Sequence, residues 1–401
     1  MRANLSSLLA SLLVSLGAAA CGGAVEVDAP LEPAPASDAG ADAAATPDAP
    51  EVPYPAPHPG MPEIPNNGGK VLTAPLIVTV TYAGDGLESF AQQLDDWIGG
   101  SAWWKTVHAD YGVGAATSGG HVVIADPAPD ALTDTDLQRW IAAKIDDGTF
   151  AQPTDQTLLV IWLPPQTSIT LPGAGGRSCA SFGGYHSAAA YRVEGKLRQV
   201  SYAVIPRCSG RDSLPITVSH ELTEAATDPL PGTLLAGSSG WVLNDQSPWN
   251  PAGGENADMC EFVSPVTENG YSLTRVWSNA NAKIGQQPCI PVPPETAAIP
   301  YFNAAITDEI LIAKPGDTVS TQLVCYSFGP LAGPLTVSAQ TWSQGTLTFS
   351  FDPPTCTNGT NVTMTIQVGA SATSGTDYHY SLLTQLDANT GHLWRGMVAV
   401  P

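Results

Sequence analysis

The sequence predicts a layered α/β (or α+β) domain followed by a C-terminal β-sandwich, and three observations predict it. Apolar, β-branched runs alternate with helical periodicities over residues 69–292, a pattern typical of α/β folds with some parallel strand pairing. Over residues 296–401, short strands alternate with Gly, Pro and Asn, as in an immunoglobulin-like sandwich. The Pro-rich segment 291–294 is the expected linker between the two domains.

Short β-branched or wholly apolar runs predict four strands in the first domain: 75–82, 121–124, 157–162 and 199–205. Apolar residues spaced three or four apart predict three helices: 87–98, 101–111 and 134–145. The C-terminal domain has five predicted strands: 309–313, 318–326, 335–340, 346–351 and 361–368. Because strands and helices alternate in the first domain, its helices are expected to cover a partly parallel sheet.

The N-terminus is typical of an exported protein. Residues 1–20 combine a charged start, a short apolar run and small residues before Cys21, which predicts a secretory signal peptide. The apolar run is too short to cross a bilayer as a helix. Cys21 stands where a bacterial lipobox is lipidated, although Ala18 replaces the usual Leu. Ordinary cleavage after Ala20 is the alternative.

Residues 21–68 are rich in Ala, Pro, Asp and Glu, and such a composition predicts a disordered tether after the lipidated cysteine. The expected location is the cell surface or periplasm as a membrane-anchored lipoprotein, or otherwise a secreted form. The net charge of −22 argues against nucleic acid as a partner. The expected partners are the membrane, through the lipid, and a cell-wall or extracellular peptide or glycan.

Seven cysteines leave six once Cys21 is assigned to the lipid. In an exported protein this even number predicts disulfides, and six cysteines allow about 15 connectivities. We favour sequential pairing, because each pair then falls within one local block of sequence. The three expected pairs are Cys179–Cys208, Cys260–Cys289 and Cys325–Cys356.

The segment 213–229 predicts an amphipathic helix. Ser213 is the expected N-cap, and Pro215 suits the first turn, where a missing N–H costs nothing. Pro229 is expected to end the helix at Asp228. A stripe of apolar residues occupies one face of the helix. The candidate metal-binding and catalytic residues lie on the opposite side.

His220, Glu221 and Glu224 form a His-Glu-x-x-Glu pattern on that side. The spacing is that of the His-Glu-x-x-His zinc proteases, in which two parallel side chains bind zinc and the Glu is the general base. The sequence therefore predicts a zincin-like helix, with His220 and Glu224 as metal ligands and Glu221 as base. Asp258 or Glu255 would complete the ligand set. Zinc is the favoured divalent metal, and calcium is the alternative because a carboxylate replaces the second His.

Residues 70–290 resemble the exordium (phosphate-induced protein) family of secreted, cell-wall-located plant proteins. Six islands carry the resemblance in one order: 101–107, 179–186, 202–205, 220–229, Trp241 with 255–260, and Trp277. Asn256 replaces the usual Ile. No reaction is firmly attached to this family, so the resemblance implies a shared site without naming its chemistry.

These residues support three hypotheses. The leading one is a metal-dependent hydrolase, such as a protease. The second is a non-catalytic surface module whose acidic helix holds a structural cation or packs a loop. The third is a metal-free glycoside hydrolase that uses Glu221 and Asp258 as paired carboxylates. His186, beside two glycines, is a further candidate site residue, with a hydrogen-bonded core histidine as the alternative.

Overall fold

The computed structural model describes residues 52–173, 175–231, 239–244, 246–250, 253–341 and 346–401. The predicted signal peptide, Cys21 and residues 22–51 of the predicted tether lie outside these ranges. The described chain is a mixed α/β structure with many strands and few helices. None of its helices is both long enough and apolar enough to cross a membrane.

The described residues form five α-helices: α1 (Glu88–Ile98), α2 (Ala102–Val107), α3 (Asp134–Asp146), α4 (Leu214–Thr227) and α5 (Asn279–Lys283). Among the described residues before position 300 there are eleven strands: β1 (Leu76–Tyr82), β2 (Thr117–Ile124), β3 (Ala131–Thr133), β4 (Thr157–Trp162), β5 (Ser168–Thr170), β6 (Tyr185–Val193), β7 (Lys196–Ile205), β8 (Val266–Glu268), β9 (Tyr271–Leu273), β10 (Val276–Trp277) and β11 (Cys289–Ile290).

The main sheet has the strand order β2-β1-β4-β7-β6. The first four strands are parallel, and β6 runs antiparallel to β7 at the edge. All six residues of β4 are buried, as expected for a central parallel strand covered on both faces. Helices α1, α2 and α4 share a core with one face, and α3 packs on the other. The predicted parallel pairing is therefore confirmed.

Strand β6 was not predicted, and it matters most for the site. Its sequence, Tyr-His-Ser-Ala-Ala-Ala-Tyr-Arg-Val, contains three alanines, which have low intrinsic strand propensity. Pairing with β7 along its whole length holds it in the sheet. The predicted helix 101–111 is also shorter than expected, because α2 ends at Val107.

The described part of the C-terminal region forms nine strands: β12 (Phe302–Ile306), β13 (Ile310–Ile312), β14 (Thr318–Ser327), β15 (Leu335–Thr341), β16 (Leu347–Asp352), β17 (Thr355–Cys356), β18 (Asn361–Val368), β19 (Thr376–Gln385) and β20 (Gly391–Val400). They form two mainly antiparallel sheets, ordered β12-β14-β18-β16 and β13-β20-β19-β15-β17. Buried residues of both sheets, such as Met364 and Leu382, belong to one hydrophobic core.

The predicted tether is wrong for residues 52–68. Ala56, Met61 and Ile64 are buried in the core shared with the C-terminal sheets. The ring of His58 stacks on Tyr326, with centroids 3.5 Å apart. These scattered apolar and aromatic side chains bury surface, and that burial offsets the entropy that the segment loses when it becomes ordered. The overall composition of the segment does not show this, because the buried side chains are few.

All three predicted disulfides are present: Cys179–Cys208, Cys260–Cys289 and Cys325–Cys356. Such bonds are typical of proteins that mature in an oxidising compartment. Cys260 ends a short 3₁₀ turn, Asp258–Cys260. Its disulfide to β11 therefore anchors the loop that carries Asp258.

Candidate metal centre

Helix α4 positions the central residues of the site. Its predicted apolar stripe is buried against the sheet, and Pro215 lies in the first turn. Ser213 occupies the N-cap position, but its side chain makes no capping hydrogen bond. Its φ of −95° and ψ of −16° are helical, whereas a capping side chain needs an extended backbone. The expected cap is therefore wrong.

The acidic side of α4 is buried rather than solvated. The side chains of Glu221 and Glu224 are 3% and 1% exposed. Strand β6 and the loop that carries Asp258 cover this side, and both supply further titratable groups. Ionised carboxylates are almost never buried without a partner. Bound protons, ion pairs or a bound cation must therefore neutralise these buried carboxylates.

The first group of side chains gathers around His220. Its Nε2 lies 3.0 Å from Glu224 Oε1 and 3.4 Å from Asp258 Oδ1. The backbone N–H of Asp258 donates to the same Glu224 oxygen at 3.1 Å. The structure thus brings together three of the four predicted metal ligands.

The second group gathers around His186, at the start of β6. Its Nδ1 lies 3.7 Å from both Glu221 Oε2 and Glu224 Oε2. Its Nε2 lies 3.5 Å from Glu255 Oε1, so Glu255, the fourth predicted ligand, contacts this histidine. A Cβ on Gly184 would come within 2.8 Å of Glu221 Oε1, so the glycine permits the close backbone approach expected beside His186.

Several converging atoms make no hydrogen bond although they are buried. They are His186 Nε2, His220 Nε2, Glu221 Oε2, Glu255 Oε1 and Asp258 Oδ1. Buried polar atoms nearly always have a partner, and each exception needs an explanation. Two ligands about 2.1 Å from one tetrahedral ion lie roughly 3.4 Å apart. The separations of 3.0 to 3.7 Å match that spacing, so the donor set fits a divalent cation.

The carboxylates set the pKa values of both histidines. Burial lowers the pKa of His186, but Glu255 and Glu221 raise it by more, so it lies well above its usual range. His220 behaves in the same way. Burial again lowers its pKa, and the carboxylates of Glu224, Asp258 and Glu221 together raise it by more.

Buried carboxyls around the histidines also have raised pKa values. Burial, then the charge of Asp258, holds the pKa of Glu224 well above its usual range. Burial raises the pKa of Glu255 to about 7, although His186 acts in the opposite direction. Burial and Asp258 raise the pKa of Glu261 to about 7. Near neutral pH and without a cation, the cluster therefore retains protons.

A cleft opens beside the first group. It encloses about 180 Å³ and is lined by His220, Glu221 and Glu261, among others. Phe262 and Val263 line this cleft and also a larger cavity of about 800 Å³, which reaches the C-terminal sheets. Glu261 was missed in the sequence. Its only signal was an acid immediately after the cysteine of the Glu255–Cys260 island.

Several other conspicuous residues of the sequence belong to neither group of side chains. Trp103 and Trp104 are buried in the core, and Trp249 lines the larger cavity. Trp241 packs edge-on against Tyr111. Two of these residues are structural: Tyr185 donates to Asp134 Oδ1 at 2.7 Å, and Trp277 is a core residue. Asp228, which ends α4, is also buried; burial raises its pKa, whereas the charge of the nearby His186 lowers it.

The sequence matches no known family profile and no curated protein, so the resemblance to the exordium family stays a prediction. Parts of several solved structures match weakly. Domains 4 and 5 of the S-layer protein SbsC match at 12% identity over 25% of this chain and 53% of that chain, with a TM-score of 0.20. This chain therefore spans about half of that fragment.

Two further structures match at a similar level. A conjugative transposon lipoprotein from Bacteroides eggerthii matches at 9% identity over 24% of this chain and 95% of that chain, with a TM-score of 0.20. A family 123 glycoside hydrolase from Clostridium perfringens matches at 12% identity over 25% and 27%, with a TM-score of 0.19. Likeness at this level carries no argument about function.

Proposed function

We propose that this protein is a metal-dependent hydrolase of acyl substrates such as peptides or esters. His220, Glu224 and Asp258 would hold the metal, and Glu221 would be the general base. One observation carries the proposal: buried ligand atoms without hydrogen bonds converge at ligand spacing beside a solvent cleft. A closed structural site would not need that cleft, because only catalytic sites keep a coordination position open to substrate.

The protein residues have distinct roles in this proposal. A divalent cation here would polarise a carbonyl oxygen and acidify water. Glu221 lines the cleft, and its Oε2 has no hydrogen-bond partner, so it is placed to take a proton from the attacking water. The larger cavity beyond Phe262 offers room for the substrate chain on one side of the scissile bond.

Zinc is the cation that we propose. Imidazole nitrogens suit zinc, whereas calcium prefers six to eight oxygen ligands. Each group in the cluster has one imidazole and two carboxylates, a set close to those of catalytic zinc sites with three protein ligands. Calcium would leave the histidine nitrogens unused.

The finer assignments of fold and location belong to the same proposal. We propose a zincin-like use of α4 and an immunoglobulin-like sandwich for the C-terminal sheets, supported by their shared core and Cys325–Cys356. Membership of the exordium family rests on the sequence islands. An exported, lipid-anchored state rests on the N-terminal sequence and accords with the three disulfides.

The proposal is tested by assaying purified protein on peptide and ester panels. We expect zinc-dependent hydrolysis that a chelator removes and added zinc restores. His220→Ala should lose both the zinc and the activity. His121→Ala is the matched control, because His121 also pairs with a carboxylate, Asp96 at 2.9 Å, but lies on the surface. If the wild-type protein holds zinc firmly but hydrolyses nothing on either panel, the non-catalytic structural-cation hypothesis is the correct one.

Zinc affinity should depend steeply on pH. The pKa values of the ligands His220 and Glu224 lie well above their usual ranges, so zinc must displace protons. Affinity should fall about tenfold per pH unit for each displaced proton as the pH drops. Calorimetry in buffers of different ionisation enthalpy would count those protons. A zinc affinity that stays constant between about pH 5.5 and about 7.5, a range around the ordinary histidine pKa of about 6.5, would contradict this prediction.

The same shifts set the pH dependence of stability in the zinc-free protein. Groups with raised folded-state pKa values bind more protons in the folded than in the unfolded state. The zinc-free protein should therefore lose stability as the pH rises through about 7, the pKa of Glu255. Zinc replaces the lost protons, so the difference in melting temperature between zinc-bound and zinc-free protein should widen with rising pH.

A further inference from the structure

Glu224 stands between the two histidines. Its Oε1 lies 3.0 Å from His220 Nε2, and its Oε2 lies 3.7 Å from His186 Nδ1. The other carboxylates divide in the same way, Asp258 with His220 and Glu221 with His186. Each group keeps its ligand atoms within 4.8 Å of one another, and the two groups share only Glu224.

A single ion does not account for this arrangement. Ligand atoms about 2.1 Å from one ion lie at most roughly 4.2 Å apart, on opposite sides of it. The two histidines fall in separate groups even at the wider spacing of 4.8 Å. An ion beside His220 would therefore leave His186 and its carboxylates without a cation.

The His186 group has its own evidence for a ligand. The side chain of His186 is 5% exposed and that of Glu221 is 3% exposed. Glu221 Oε2, which lies 3.7 Å from His186 Nδ1, is buried without a hydrogen-bond partner. An ion at His220 does not explain this unpaired oxygen, because Glu221 does not belong to that group.

We propose that the cluster binds two divalent cations bridged by the carboxylate of Glu224. His220 and Asp258 complete the first site, and His186 and Glu221 complete the second. Glu255 faces the other nitrogen of His186, where a carboxylate fixes the orientation of a metal-bound imidazole. The first site is that of the proposed function, on which this inference builds, and the second site is new.

The pair changes the role of Glu221 and narrows the substrate class. With both sites filled, Glu221 is a ligand of the second ion rather than a free base. Two cations roughly 3.5–4 Å apart hold the attacking and the leaving oxygen of a displacement together. The site would therefore favour substrates whose reacting group presents two oxygens to the pair, such as carboxylic or phosphoric esters.

The test counts metal in the folded, full-length protein. After dialysis against zinc, elemental analysis should give about two zinc ions per wild-type chain. His186→Asn and His220→Asn should each give one, and His121→Asn should still give two. With Mn²⁺ in place of zinc, electron paramagnetic resonance should show a spin-coupled pair in the wild type and isolated ions in both single-site variants.

The proposal is overturned by one zinc per wild-type chain at saturation, by uncoupled Mn²⁺, or by two zinc ions in folded His186→Asn. If that variant does not fold, Glu221→Gln must show the same loss of one ion, and the wild-type spectrum decides independently. Hydrolysis with one zinc would refute the pair and leave the proposed function standing. Two bound zinc ions without hydrolysis would support the pair and refute the proposed function.

Discussion

Glu224→Gln should abolish zinc binding and with it any zinc-dependent activity. The substitution removes the negative charge from the carboxylate that approaches both histidines, at 3.0 and 3.7 Å. Loss of an outer residue that only orients a ligand already costs about 10–100-fold in metal affinity. We therefore expect a loss of more than about a hundredfold for this ligand, measured by competition with a chromogenic chelator.

The same substitution should leave the zinc-free fold intact. Burial and Asp258 raise the pKa of Glu224, so its carboxyl tends to hold a proton in the zinc-free protein, and the neutral amide of Gln resembles that form. Gln can also keep the oxygen that accepts from the Asp258 N–H. The variant should melt near the zinc-free wild type and no longer respond to zinc, whereas ligand binding raises the melting temperature of the wild type.

Glu309→Gln is the matched control. Glu309 is also a buried carboxyl with a pKa raised by burial. It accepts hydrogen bonds from Trp249 and Trp394 at 3.0 and 2.6 Å, far from the cluster in sequence. This control should lose stability but bind zinc normally. Wild-type zinc affinity in Glu224→Gln would rule out a metal at either group.

The sequence predicted the parts of the site that lie on strongly patterned elements. Helix α4 was recognisable because Pro215 and Pro229 bound an amphipathic repeat, and strand β4 because its six residues are apolar. Local pattern determines such elements. The His220–Glu224 pair followed directly, because residues four apart on a helix project from the same side.

The rest of the site depends on tertiary contacts that leave little local trace. Strand β6 is rich in alanine and exists because β7 pairs with it, so the proximity of His186 to Glu221 was not visible in the sequence. Glu261 is brought to the cleft by the fold of a disulfide-bonded loop. Burial of the whole acidic side of α4 likewise needs β6 and that loop, neither of which changes the helical repeat.

Removing the Cys260–Cys289 disulfide should lower both stability and zinc affinity. The two cysteines are 29 residues apart, and chain entropy for a loop of that size gives about 3–4 kcal/mol of stabilisation. Asp258 lies two residues before Cys260 in the same short turn. Without the bond, binding zinc must also order this turn. The double variant Cys260→Ala, Cys289→Ala should therefore bind zinc at least tenfold more weakly, because about 1.4 kcal/mol of ordering cost suffices for that.

The chain contains its own control for this effect. Cys325 and Cys356 are 31 residues apart and lie among the C-terminal strands, so replacing both with Ala removes a loop of nearly equal entropy. Denaturant unfolding in the presence of a chelator should show similar losses of stability for the two double variants, and only the Cys260–Cys289 variant should lose zinc affinity. Equal zinc affinities would mean that the disulfide does not hold Asp258 in place, and that the turn keeps its geometry through the Glu224 and Glu255 contacts alone.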